Sequence, residues 1–478
     1  MLCLVLFSGP ELPGTLAAAD SSHRLVTVNA VVSDQEGHAV TGLKRGDFSL
    51  ADNGKQRVIS TFNAFRPPGK LLRNRAAGGY WISNRPRAED GANRPATVIL
   101  LDTKDTGPEY QPWSISQMAR VAALLGPEEQ VAVYQLRQDG LFLRHEFTGN
   151  REHLLAAIAP EAMVRDVNAN KWSLNYKRIR IVPASLPADS STYEALERLA
   201  CQMSRYPGRK NLFWVSAYFP SLFPYGKLTE VNTAAMAAAR ALEASSVAVF
   251  PVDVRSPVPP LPFQPVPPAT AISARAINKR DFVRGMNAIA DATGGKTIVN
   301  RPELAEAMVD TMRATQRSYQ LGFEVPADEL DGSYHKLRIR LRQRGLTSMY
   351  NRCYFAQLSR SCSPDTLFDN PEIGILVRVS TNPDGTLLLQ VRRFGENSSP
   401  GGIKARWRLT VTDEDNGAVL ASATGTGMQV DLPVKVLENS RGLRASVREA
   451  ASGGIGSITL PLDVITRAEM KPADAISH

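Results

Sequence analysis

The sequence predicts an α/β protein: a doubly wound, mainly parallel sheet flanked by β units, with a β-sandwich at the C-terminus. Three observations predict it. Over residues 95–317 continuous apolar runs alternate with helical periods, as in strands buried on both faces and joined by crossover helices. Two of those runs, Ala96–Asp102 and Val247–Asp253, end in a carboxylate. On either side of this region the apolar period drops to two, the mark of half-buried strands.

The length of 478 residues, with 43% hydrophobic and 22% charged, fits a folded chain of two to four domains at roughly 150 residues each. The net charge of +9 is spread along the chain, with 42 Arg to 14 Lys and no block of five like charges. That balance favours anionic surfaces in general, and no nucleic-acid partner is expected from it. No apolar stretch approaches the roughly 18 residues of a membrane span, so no transmembrane anchor is expected apart from the leader. There is no HExxH, GxSxG or GxxxxGK[ST], nor a strand running into GxGxxG, and no enzyme is expected.

Residues 1–19 read as a signal peptide: residues 2–7 are apolar and Ala17-Ala18-Ala19 precedes Asp20 as a cleavage site. The charged n-region is missing and Pro10 and Pro13 break the apolar run, which a start codon upstream of Met1 would explain. The expected location is periplasmic or extracellular. Of four cysteines, Cys353 and Cys362 are close enough in sequence to pair, while Cys201 reads as a small buried apolar residue on a helix.

Residues 20–66 form a β unit. Residues 24–32 alternate, and Asp52-Asn53-Gly54-Lys55 is a hairpin turn because Asn-Gly accepts positive φ cheaply. Residues 67–94, rich in Gly, Pro and Arg, are a linker in which Tyr80-Trp81-Ile82 anchors on a neighbouring domain. In the α/β domain, residues 95–317, helices are expected at 113–125, 191–203, 231–244, 282–293 and 302–317, with Thr148 capping a short helix that carries Leu154 and Leu155. Strands are expected at 130–136 and 209–216, and the seven prolines of residues 257–268 give an extended loop. Residues 318–357 are strands expected to pack with the N-terminal β unit, since neither segment alone has the length for a good core. Within them Leu337, Ile339 and Leu341 face one way and Lys336, Arg338, Arg340 and Arg342 the other, either a solvated face or an anion-binding stripe. Residues 365–466 carry seven short β runs separated by turns such as Pro383-Asp384-Gly385, an Ig-like β-sandwich.

Ligands of a doubly wound sheet collect where the strands' carboxyl ends emerge, here at Asp102, Ser216 and Asp253. With the loop Thr103-Lys104-Asp105-Thr106 and the helix-start residues Ser190, Ser191 and Thr192, they lay out hard oxygen ligands suited to Mg²⁺. The order Asp102-Thr103-Lys104-Asp105-Thr106, then Ser190, then Ser216-Ala217-Tyr218 resembles the metal-ion-dependent adhesion site of the von Willebrand factor A domain, Asp-x-Ser-x-Ser completed by a Thr and a second Asp. Further stretches, among them Val40-Thr-Gly-Leu, Pro207-Gly-Arg-Lys-Asn, Ala290-Asp-Ala-Thr-Gly-Gly and Ser318-Tyr-Gln-Leu-Gly-Phe, resemble the bacterial VWFA-related domain proteins of Acidobacteria over nearly the whole chain. The resemblance implies a Rossmann-type domain in an exported, non-catalytic protein that binds or adheres to a protein or glycan at the cell envelope.

Two departures alter that expectation. Lys104 puts a cation where a hydroxyl ligand belongs, a repulsion of about 4 kcal/mol per unit charge at about 4 Å and an effective dielectric of ~20. Ala217 removes the distal carboxylate. The site is therefore expected to be a degenerate, metal-free one in which Lys104 pairs with Asp102 or Asp105, with no cofactor; Mg²⁺ is the alternative. The binding rim is expected at Asp102, Lys104, Asp105, Thr106, Ser190, Ser216, Tyr218 and Asp253, with Lys104, Asp105, Tyr218 and Phe219 at the surface. A structural or assembly role in the envelope, and an Mg²⁺-dependent adhesion module with an incomplete site, are the rival readings.

Overall fold

The period-two segments on either side of residue 200 find each other across the chain. In the computed structural model, which describes residues 23–65, 81–86, 95–126, 129–158, 163–164, 173–174, 189–206, 208–223, 232–255, 279–299, 302–357, 370–394, 406–426, 429–438, 440–450, 453–462 and 464–465, strands β1 (His23–Ser33), β2 (Phe48–Asp52), β3 (Lys55–Arg57) and β4 (Thr61–Phe65) come first. The expected leader, most of the expected linker, the proline-rich residues 257–268 and Cys362 lie outside the described residues. The Asn53-Gly54 turn adopts φ of 46° and 87° and joins β2 to β3.

Strand β5 (Ile82–Ser83) lies within the linker. The middle of the chain then runs β6 (Ala96–Asp102), α1 (Gln111–Leu124), β7 (Val131–Arg137), β8 (Gly140–Thr148), α2 (Arg151–Ile158), the short ribbon β9 (Met163–Val164) and β10 (Ser173–Leu174), α3 (Asp189–Ser204), β11 (Lys210–Ser216), α4 (Thr233–Ala244), β12 (Val247–Asp253), α5 (Lys279–Thr293) and α6 (Leu304–Thr315). After them come β13 (Ser318–Pro326), β14 (Tyr334–Leu341), β15 (Thr347–Met349) and β16 (Cys353–Phe355). The C-terminal strands are β17 (Gly374–Thr381), β18 (Leu387–Phe394), β19 (Trp407–Asp413), β20 (Val419–Gly425), β21 (Gln429–Val434), β22 (Gly442–Glu449) and β23 (Ile455–Pro461).

The expected doubly wound, mainly parallel α/β class is overturned. Strand outweighs helix, 43% against 25%, and the central sheet is a mixed one of nine strands in the order β12-β11-β6-β7-β8-β5-β17-β18-β21. Among the described strands, only β12, β11, β6 and β7 run parallel. The physical cause is the two-residue turn Gln138-Asp139: with Gly140 at φ +137° opening the next strand, it sends β8 straight back antiparallel to β7, where another parallel strand would need a crossover of a dozen residues or so. Strand β5 then pairs with both β8 and β17, so the expected linker carries the staple that merges the central and C-terminal strands into one sheet.

Alternate residues of β6 serve opposite faces. Val98 and Leu100 join a core with α3, α4 and α5, while Ile99 and Leu101 join one with α1, α2 and α6. A third core lies between β17, β18 and β21 and the four-stranded sheet β20-β19-β22-β23. The fourth lies between the sheets β15-β1-β13-β4 and β16-β14-β2-β3, each of which draws strands from both ends of the central region. Arg209 ties that β module to the central sheet. Its buried guanidinium donates to Asn211 Oδ1 at 3.1 Å, the Asn29 carbonyl at 3.2 Å and the Gly294 carbonyl at 2.7 Å, and burial pulls its pKa down to about 10.

Two local expectations change. Asn150, not Thr148, caps α2, accepting from the His153 backbone at 2.7 Å, while Thr148 accepts from the Asn150 backbone. The Cys353–Cys362 bridge is excluded: Cys353 is a free thiol facing the core, its Sγ 3.4 Å from the Ala292 carbonyl, and burial pushes its pKa up to about 12. Cys201, read as a small buried apolar residue, is disulfide-bonded. Closeness in sequence did not decide pairing, because the pleat of β16 turns Cys353 inward.

A buried histidine pair beside α2 makes stability pH-dependent. His145 Nδ1–H donates to the Glu146 carbonyl at 2.7 Å, and His145 Nε2 lies 2.9 Å from His153 Nδ1. Burial pushes His145 down to about 3 and His153 to about 4, from an ordinary 6.5. Above the ordinary value both states are neutral and stability is full; below it the unfolded chain takes up protons that the fold refuses, and stability falls until the folded values are passed. The expected loss is about 2 kcal/mol per histidine between about pH 6.5 and pH 5. Urea midpoints across that window should show a shallower acid slope for His145→Gln; parallel slopes in variant and wild type would remove the pair as the cause.

Candidate functional site

The carboxyl ends of the parallel strands do bring the sequence-selected residues together. Asp102 closes β6, and Ser216 and Asp253 close β11 and β12 in register with each other. Asp102 is 1% exposed, and its side chain is surrounded by donors. Oδ1 accepts the Asp105 backbone N–H at 2.9 Å, and Oδ2 accepts the Trp214 indole N–H at 3.0 Å. Ser216 Oγ lies 3.0 Å from the same oxygen and 2.8 Å from the Tyr218 carbonyl, so its one proton serves one of the two. Burial, followed by the nearby Asp105 carboxylate, pushes the Asp102 carboxyl up to about 7 against the pull of those hydrogen bonds.

Lys104 closes the other half. Its Nζ donates to Asp105 Oδ1 at 2.9 Å and to Thr192 Oγ1 at 2.8 Å, and Thr192 Oγ1 donates to Asp105 Oδ2 at 2.7 Å. The result is a triangle of ammonium, hydroxyl and carboxylate with every edge a hydrogen bond. Thr106 Oγ1 accepts the Ala217 backbone N–H at 3.2 Å and anchors the loop to the end of β11.

This donor set does not fit a dication. A metal needs lone pairs, and Lys104 brings N–H groups among the same oxygens. Asp102 already receives N–H donors on both oxygens, and Ala217 has no side-chain oxygen to add. Asp253 is held at both oxygens by the Arg255 guanidinium, each contact 3.0 Å, and that guanidinium stacks on Phe282. Asp102 and Asp253 therefore have separate partners.

The rim differs from its expected character. Lys104 and Asp105, expected at the surface, are 2% and 7% exposed, because the first turn of α3 lays Thr192 over them. Phe219 is buried edge-on to Trp214, with ring centres 4.9 Å apart, and Tyr218 is half-buried. Ser190 falls in the first turn of α3, but its side chain lies outside the described residues. The hydroxyl that closes the network is Thr192, two residues on. Trp214, which the rim reading leaves out, also takes part: a buried indole N–H requires an acceptor, and Asp102 on the neighbouring strand supplies it.

No helix among the described residues is long and apolar enough to cross a membrane. No protein-family model and no curated protein matches the chain.

Proposed function

We propose that the chain is an exported, non-catalytic recognition protein that binds a protein or glycan partner at the cell envelope without a bound metal. The observation that carries this reading is the Lys104 ammonium, hydrogen-bonded to Asp105 and Thr192 within the loop where an adhesion site would place its dication. The motif order shared with VWFA-related domain proteins supports the recognition role, and the disulfide at Cys201 supports an oxidising compartment. Since the charged groups of the rim are spent on one another, the rim acts as a lock between β6, α3 and β11, and recognition falls to another surface.

Co-sedimentation with native envelope fragments tests both parts. The full chain is expected to pellet with the fragments to the same extent in EDTA and in millimolar Mg²⁺. Failure to pellet removes the recognition role, and pelleting abolished by EDTA removes metal independence.

A further inference from the structure

A cleft of about 1230 Å³ opens between the outer face of β14 and β2 and one face of α5. Among the described residues five cations line it, Arg284, Lys336, Arg338, Arg340 and Arg352, against the single carboxylate Asp291, which pairs with Arg352 at 3.3 Å. Lys336, Arg338 and Arg340 are exposed at alternate positions of β14, and among the described residues none of the three makes an ion pair. Their spacing along one face of a strand is about 7 Å.

An ordinary solvated strand face sets opposite charges across from one another, a pairing that contributes up to about 1 kcal/mol. Here the residue opposite Arg338 is Ala51 and the one opposite Arg340 is Ser49. These small neutral neighbours leave both guanidinium groups uncovered, so the row of like charge has no counter-ion on its own sheet. The opposing wall is one helical face, on which Arg284, Asn287 and Asp291 recur at helical spacing.

We propose that this cleft binds an acidic oligosaccharide, with carboxylate or sulfate groups seated on Arg338, Arg340 and Lys336. Guanidinium forks match such planar or tetrahedral oxyanions. The neutral amides of Gln56 and Asn287 line the same cleft and suit sugar hydroxyls. The aromatic lining is small: Tyr350 and Phe223 are buried, the Tyr350 hydroxyl accepts the Ile339 backbone N–H at 2.9 Å, and the half-buried Tyr334 ring is packed edge-on to Phe355, so no row of open rings is set for stacked bases. The inference rests on the recognition role proposed above and names its ligand class.

The test is calorimetric titration of the full chain with tetragalacturonate, a heparin tetrasaccharide, maltotetraose and a single-stranded DNA oligonucleotide. One of the two acidic sugars is expected to bind, more weakly as salt rises, and maltotetraose is not. Binding of tetragalacturonate shows that carboxylates suffice, and binding of heparin without tetragalacturonate shows that sulfate is required, since heparin carries both groups. Arg338→Gln/Arg340→Gln, both exposed and so neutral for folding, is expected to weaken that binding at least tenfold, since the loss of one charge-assisted hydrogen bond is worth about a factor of ten or more. Binding of neither acidic sugar, binding unchanged in the double variant, or DNA bound more tightly than either sugar would overturn the proposal. Co-sedimentation without sugar binding removes the cleft alone and leaves the recognition role; sugar binding without co-sedimentation removes the envelope role and leaves the cleft.

Discussion

Lys104→Met is expected to lower the unfolding free energy by about 3–5 kcal/mol, because it leaves the Asp105 carboxylate buried with the Thr192 hydroxyl as its remaining partner in the triangle. Methionine keeps the length and apolar stem of lysine, so packing changes little and the loss reads on charge. The Lys104→Met/Asp105→Asn variant removes both charges and keeps an amide oxygen for Thr192. It is expected to recover most of the loss, as replacements of whole buried pairs do. Urea midpoints of the three proteins measure this. A single variant within about 1 kcal/mol of wild type, or a double variant no better than the single, would mean that Lys104 is not the partner of Asp105.

Gly295→Ala carries the second large effect. A Cβ there would lie 1.8 Å from the Val249 carbonyl oxygen and 2.6 Å from its carbon. Those atoms belong to β12, which is held in its parallel ladder with β11, so relief requires moving the backbone of a sheet strand rather than turning a side chain. The expected cost is about 3 kcal/mol or more, at the upper end of what overpacking produces. Gly46→Ala is the control, since a Cβ at Gly46 meets nothing within 4 Å, and its thermal midpoint should stay near wild type. Equal midpoints for the two variants would show that the β12–Gly295 approach is not a constraint on the fold.

The same close approach explains why Thr293-Gly294-Gly295 stood out in the sequence without its reason being visible there. Gly294 adopts φ +82°, and a Cβ on it would meet the backbone of Tyr350 and Asn351 in the β module. Neither neighbour is within 40 residues in sequence. The rim shows a similar limit. Asp102, Lys104, Asp105 and Thr106 were legible because they follow a strand whose end the apolar run marks. Thr192 was placed two positions off because a Ser-Ser-Thr run gives three hydroxyls, and only the rotation of α3 chooses among them.

What the sequence by itself determined is local. Periods of two and 3.6 residues fixed which segments are strands and which are helices, Asn53-Gly54 fixed a hairpin, and Lys104 beside Asp105 set the chemistry of the rim. What only the tertiary structure decided is which segments meet. Strand β8 turned back antiparallel, Ile82–Ser83 stapled two regions into one mixed sheet, Cys353 faced inward unpaired, and the cations of β14 came to face α5 across a cleft. The physical reason is that periodicity reports how each segment divides its faces between water and core. Pairing partners, by contrast, are set by contacts between residues hundreds of positions apart, which a local pattern does not encode.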